Sequence, residues 1–270
     1  MDRFLTQKGA IHDWTFPLGP NFVLGTSTVL MADAWRTLVP TLDDPDGPLP
    51  PLLVVLTVVT GVIDAVSYLS LGHVFVANMT GNVVFVGFAF AGAAGFALAP
   101  SLIALGAFVI GSAVGGRIAV ELPRHRGRLL TIAVTVELVL VAAATAGSAA
   151  GGSGDATQDG LIALLGVAMG VQNAVVRRLG VSDLTTTVLT LTTTAIVADA
   201  VWLGGPGGRN GRRVLSVTAM FSGALVGAVV LLHASRTASL AVSLALIAIV
   251  ALRIATVSRG EPRWATGPRR

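Results

Sequence analysis

The sequence contains no cysteine, which excludes disulfide frameworks, cysteine-ligated metals and a cysteine nucleophile. Charge is scarce as well. Lys, Arg, Asp and Glu make up 12% of the 270 residues, about half the ~25% of a soluble domain. From Ala65 to Gly116 none of these four types occurs. Aromatics are thin, with ten Phe and a single Tyr, so an interfacial belt marks span ends weakly. No His-Glu-x-x-His occurs, and His12, His73, His125 and His233 are scattered, so metal hydrolysis lacks its ligands. A nucleotide-binding loop and a serine elbow in a strand–helix context are missing too. The reading is a non-enzyme without cofactor or metal.

What fills the chain is apolar side chain, 53% of residues, with a mean hydropathy of +0.80. A soluble protein of this size cannot hide that much. The net charge of +4 does not point to nucleic acid. Its arginines stand between apolar segments and in the tail, where they meet anionic headgroups. The fold class is an all-α polytopic membrane protein whose partner is the lipid bilayer. Its oligomeric state is not legible.

Residues 1–50 read as an N-terminal arm on the cytoplasmic side. Phe4, Trp14 and Phe16 alternate there with charges, and Phe22 to Val39 could form a short helix with Asp33 and Arg36 on its polar side. The start is not a signal peptide, because Thr6, Gln7, His12 and Asp13 interrupt any apolar run. Pro50-Pro51 opens the membrane part. Eight candidate spans follow, at 52–71, 74–98, 101–120, 129–150, 160–177, 184–203, 213–233 and 237–257. Seven is the alternative, with one doubtful segment re-entrant. Residues 51–150 form a first repeat, 151–257 a second, and 258–270 a basic tail.

The repeat rests on two matches. Gly61-Val62-Ile63-Asp64-Ala65-Val66 resembles Gly170-Val171-Gln172-Asn173-Ala174-Val175, and Gly111-Ser112-Ala113-Val114-Gly115 resembles Gly223-Ala224-Leu225-Val226-Gly227. The offset drifts only from 109 to 112. The glycines Gly111, Gly115, Gly223 and Gly227 make small-residue faces suited to helix packing. Charge fits an eight-span path poorly. Arg117, Arg124, Arg126, Arg128, Arg177, Arg178 and Arg236 would lie opposite the tails, against the positive-inside rule.

Polar groups within the spans are the candidate site. Thr57, Thr60, Asp64 and Ser67 share one face of the first span, and Tyr68 lies one turn from Asp64. A carboxylate at this depth must face the interior, pair, or take up a proton. Asn78 and Asn82 share a face one turn apart, with Thr80 beside them and Gly81 allowing close backbone approach. In the second half Asn173 stands in place of Asp64, followed by Arg177-Arg178 and a threonine-rich stretch from Thr185 to Thr194. Glu137 and Asp199 are the other acids within apolar segments; Asp199, near a segment end, reads as snorkelling to the interface.

The string from Gly61 through Leu71-Gly72-His73-Val74-Phe75 to Ala77-Asn78-Met79-Thr80-Gly81-Asn82 resembles the bacterial YoaK, or DUF1275, family. The likeness covers roughly Leu52 to Ile254. Asn173 with Arg177-Arg178 and Gly180 also looks like the family pattern, whereas Thr190-Leu191 stands where a Thr-Gly pair is expected. The resemblance implies a multi-pass protein of the bacterial inner membrane and brings no activity with it. On the residues alone, the first reading is a secondary transporter or permease for a small solute. Asp64 would bind a coupling proton or cation, Asn78, Thr80 and Asn82 would orient the solute, and Arg177 would draw in an anion or anchor to headgroups. The alternative is a membrane scaffold whose polar residues only tie helices together.

Overall fold

The computed structural model describes residues 30–41, 44–122, 125–152, 154–184, 189–199, 210–258 and 263–266. Outside them fall Phe4, Trp14 and Phe16 of the arm, Thr185 to Thr187, residues 204–209 and most of the basic tail. All regular structure among the described residues is helical. Residues 30–38 form α1. Then come α2 (Leu49–Ser70), α3 (Met79–Phe90), α4 (Leu98–Glu121), α5 (Arg126–Ala149) and α6 (Asp155–Leu179). They are followed by α7 (Leu189–Ala198), α8 (Asn210–His233), α9 (Arg236–Val257) and the single turn α10 (Arg263–Thr266). Six of these, α2, α4, α5, α6, α8 and α9, are long and apolar enough to cross a membrane.

Helix starts reach further back than the proline positions indicate. Pro50 and Pro51 sit inside the first turn of α2, and Pro100 inside that of α4. Proline is tolerated there, because first-turn N–H groups have no partner within the helix. The larger difference lies at 74–98 and 184–203, expected as full spans. Over the described residues their helices α3 and α7 have 12 and 10 residues, roughly 18 and 15 Å long against a ~30 Å hydrocarbon core, with 185–188 and 200–203 outside the description. Before α3 the chain runs irregularly through residues 71–78. After it, Gly92 (φ 77°) and Gly95 (φ 85°) hold the left-handed turns that end the helix.

Directions follow from which residues meet. A Cβ added to Gly61 would stand 2.7 Å from Ala224 N, one on Gly223 3.0 Å from Val58 Cα, and one on Gly227 2.8 Å from Val62 Cα. So α2 and α8 run parallel, glycine against backbone. Gly170 against Ser112 N (2.8 Å), Gly111 against Val167 Cα (2.9 Å) and Gly115 against Val171 O (2.8 Å) repeat the arrangement for α4 and α6. By contrast α5 and α9 run antiparallel. Gly127, at the start of α5, abuts Ser258 beyond the end of α9. Ser148, near the end of α5, hydrogen-bonds Thr237 (2.9 Å) and Arg236 (3.0 Å) at the start of α9.

The chain returns to the same end of the bundle after each short helix. A Cβ on Gly72, just past α2, would lie 3.4 Å from Pro100 in the first turn of α4. Asp183, just past α6, pairs with Arg213 in the first turn of α8 at 2.9 Å. The bundle therefore has two chemically unlike ends. Where α4, α6 and α9 finish and α5 and α8 begin stand Arg117, Arg126, Arg128, Arg177, Arg178, Arg212, Arg213 and Arg253. The α1 helix docks at this basic end, with Asp33 Oδ2 accepting from Arg212 N at 3.0 Å. At the other end, among the described residues, Arg236 is the one arginine.

The core is a continuous apolar cluster centred on α2 and α6, including Leu53, Leu56, Ile63, Leu165 and Met169, with Leu240, Ile247 and Val250 of α9 joining it. Outward faces such as Val109, Ile110, Phe221 and Leu252 remain apolar and uncovered by protein, as a lipid-facing surface requires.

Candidate functional site

Asp64 lies in the last third of α2, buried against the irregular strand of chain that leads into α3. Its Oδ1 accepts the backbone N–H groups of Val76 and Ala77, each at 3.0 Å, and its Oδ2 accepts from the side-chain amide of Asn78. Such N–H groups have no sheet or helix partner in an irregular segment, and lipid cannot supply one. A carboxylate with several acceptor positions can satisfy three donors at once. Ser67 and Thr57, on the same face, bond back to carbonyls of their own helix at 3.1 and 2.9 Å.

Asn82 fastens the same corner from the other side. From the first turn of α3 its Oδ1 accepts from Phe75 N at 2.9 Å, and its Nδ2 donates to Phe75 O. Tyr68 stacks on Phe75 with ring centroids 4.9 Å apart and meets His73 edge-on at 5.5 Å. Phe85 continues the aromatic group toward Phe88 and Phe96. His73 holds φ 58°, a conformation that β-branched residues avoid, in the turn after α2.

A cavity of about 290 Å³ lies between the starts of the two short helices. It is lined by Ala77, Asn78, Met79 and Thr80 at α3, Phe108 of α4, and Leu189 and Thr190 at α7. Of the site residues read from sequence, Asn78 and Thr80 reach this cavity, as does Thr190 of the threonine-rich stretch. Asp64 and Asn82 instead face the corner's backbone. Asn173 sits on α6 and donates to Met169 O at 2.9 Å, and Arg177 is exposed at the basic end. Thr80 and Thr190 differ in number by 110, between the two offsets of the internal match, and both line the cavity.

Sequence reasoning missed a second group of ties at the basic end. Asp46 pairs with Arg126 at 2.9 Å and Arg212 at 3.7 Å, and Arg126 also donates to Leu179 O at 3.0 Å. Arg213 joins Asp183 at 2.9 Å and Asp199 at 2.7 Å, so Asp199 is paired rather than reaching freely for the interface. The signal was available in the acid-rich break before α2 and the Arg212-Arg213 pair, but sequence spacing does not say which charges meet.

Residues 52–253 match the family described as "Protein of unknown function (DUF1275)". The chain belongs to the DUF1275 family. It is similar to the UPF0700 transmembrane protein YoaK of Bacillus subtilis (strain 168), with 34% identity over 150 residues. That alignment spans 55% of this chain and 65% of the relative's length. No solved structure matches the chain. As a DUF1275 protein with six long apolar helices among its described residues, it is a multi-pass membrane protein, consistent with a bacterial inner membrane.

Proposed function

We propose that this DUF1275 protein is a non-catalytic membrane scaffold whose intramembrane polar side chains tie broken segments and helices into one body. The observation that carries it is the environment of Asp64: both oxygens are already engaged by Val76, Ala77 and Asn78. A group so employed is a structural cap. The salt bridges of Asp46, Asp183 and Asp199 act alike at the basic end, joining the segment before α2 to α5 and α8, and the ends of α6 and α7 to α8.

The same proposal extends to topology. With α3 and α7 re-entrant, six crossings give three per half, and an odd number inverts one half relative to the other. Parity supports this count. Eight crossings would make α5 and α9, the fourth and eighth, run in the same direction, whereas they run antiparallel. If only one of the short helices crossed, α2 and α8 would oppose each other, whereas they are parallel. Six crossings also gather the arginines of the basic end on one side, which the positive-inside rule makes cytoplasmic together with the arm and tail.

The permease reading keeps one specific support, the cavity between the starts of α3 and α7, lined from both halves by Thr80 and Thr190. It is the second reading. A solute screen in proteoliposomes under an imposed pH gradient, comparing wild type with Asp64→Asn, separates the two. The scaffold reading expects no gradient-driven flux that depends on the Asp64 carboxylate. A flux abolished in correctly folded Asp64→Asn overturns it and makes Asp64 part of a transport mechanism.

A further inference from the structure

Glu137 stands about halfway along α5, fully buried, and the ties described above make no use of it. Its carboxyl meets the side-chain amide of Gln172 on α6, 1% exposed, and Gln172 meets the fully buried Thr60 Oγ1 of α2 at 2.9 Å. Three buried polar side chains thus form one chain of contacts across α5, α6 and α2.

The heavy-atom positions of that chain admit two hydrogen-bond registers, which differ in which end of the Gln172 amide faces Glu137. In the first, Gln172 Nε2 donates to Thr60 Oγ1 at 2.9 Å, and the Thr60 hydroxyl donates to Leu56 O at 2.9 Å. The Gln172 oxygen then faces Glu137, whose Oε1 and Oε2 lie about 2.8 and 3.2 Å from that end of the amide. Two oxygens at this separation need a hydrogen between them, and only a protonated Glu137 supplies it. In the second register the amide is turned over. Its nitrogen donates to the carboxylate, and its oxygen takes the Thr60 hydroxyl hydrogen away from Leu56 O. Leu56 O keeps its helical N–H partner, so that exchange is cheap. What differs is the charge, which the second register leaves in an apolar interior with a single amide donor.

We propose that Glu137, Gln172 and Thr60 form a proton-binding site in the core, in which arrival or departure of the proton turns the Gln172 amide over. On arrival the proton joins a carboxylate oxygen and is shared with the amide oxygen; on departure it leaves to water and the amide nitrogen replaces it. Among the described residues, the charged side chains of the helices packed around this site lie toward helix ends. On α5 itself they are Arg126 and Arg128, on α6 Asp155, Asp159, Arg177 and Arg178, on α9 Arg236 and Arg253, and on α4 Arg117 and Glu121. On α2, Asp64 is occupied by Val76, Ala77 and Asn78. The site goes beyond the scaffold reading, which neither needs nor uses it.

The chain has three glutamates, Glu121, Glu137 and Glu261. Infrared spectra of the full-length protein in lipid, with carbon-13 glutamate and Glu137→Gln as the subtraction, isolate Glu137. At pH 7 we expect an isotope-shifted carboxylic-acid carbonyl band, lost in Glu137→Gln and displaced in frequency by Thr60→Val. The proposal is overturned if every labelled glutamate of the wild type absorbs as carboxylate. It is equally overturned if the acid band survives Glu137→Gln, or if Thr60→Val leaves it unmoved. Should Glu137→Gln not fold, the wild-type spectrum and Thr60→Val still decide.

Discussion

Replacing Asp64 by leucine and by asparagine tests the cap directly. Leucine is close in volume but accepts nothing, so the N–H groups of Val76 and Ala77 and the Asn78 amide lose their acceptor. A buried donor left unsatisfied costs about 1–3 kcal/mol. The Asn78 amide is only half-buried and borders the cavity, so it can turn to water, which leaves the two backbone donors. Removing the carboxylate also removes its own desolvation cost, which offsets part of the loss. The net expectation for Asp64→Leu is a loss of roughly 2–4 kcal/mol. Asparagine behaves differently. Its oxygen can keep the Val76 and Ala77 donors, while its new amide donates to the oxygen of Asn78 once that side chain turns over. Only the extra strength of charge-assisted bonds is lost, roughly 1 kcal/mol. Unfolding in mixed micelles, followed by far-ultraviolet circular dichroism, gives both numbers. Equal loss in the two variants, or an Asp64→Leu protein as stable as wild type, would refute the cap.

Three further expectations concern packing, topology and the basic end. Gly111→Leu or Gly223→Leu should destabilise by about 1–3 kcal/mol or more through overpacking against Val167 or Val58, while Gly87→Ala, which meets open space, should be nearly silent in the same unfolding assay. Single cysteines at Ala156 and Ala234, read by an impermeant thiol reagent in whole cells, should label from the same side, opposite to one at Glu121. An eight-crossing path puts Ala156 and Ala234 on opposite sides, so that result would refute six crossings. Arg213→Met should loosen α7 by releasing Asp183 and Asp199, visible as faster proteolysis or hydrogen exchange within Leu189–Ala198; unchanged exchange there would remove Arg213 as the anchor.

Hydropathy made the membrane class plain and located all six long helices to within a few residues, because uninterrupted apolar runs leave few alternatives. It did not foretell that the described parts of α3 and α7 are only 12 and 10 residues long, since a short helix in a membrane is as apolar as a spanning one. The discriminating marks were local and weak: Asn78 ahead of α3, and Gly92 and Gly95 behind it. The awkward placement of Arg117, Arg126, Arg128, Arg177 and Arg178 in an eight-span path is the stronger sequence argument for the proposed six crossings. The polar string around Asp64 and Asn78 was legible as a unit, yet its partners were not. A sequence shows that a buried carboxylate needs donors but not that backbone N–H groups twelve and thirteen residues ahead supply them. Gln172 was invisible for a related reason, since its meaning depends on Glu137 of a different helix.

The way the long helices lock together limits what either reading of function can ask of the molecule. Glycine contacts join α2 to α8 and α4 to α6 and bring backbone against backbone. Sliding either pair by one residue would drive Val58 or Val167 into a position that only glycine admits. A rigid rocking that parts α2 from α8 and α4 from α6, the motion expected if the chain were a repeat-built transporter, would have to break both seams. The short helices carry no such constraint. Among their described residues α3 buries Asn82 alone and α7 buries Thr192 alone; Asn82 and Phe85 with Phe75 fasten α3, and Asp199 with Arg213 fastens the end of α7. If a solute ever passes through the cavity between them, the moving parts are therefore α3 and α7, and the six long helices are the frame. Cross-linking α2 to α8 through paired cysteines at Val58 and Gly223 would then leave flux intact, whereas fastening α3 to α4 would stop it.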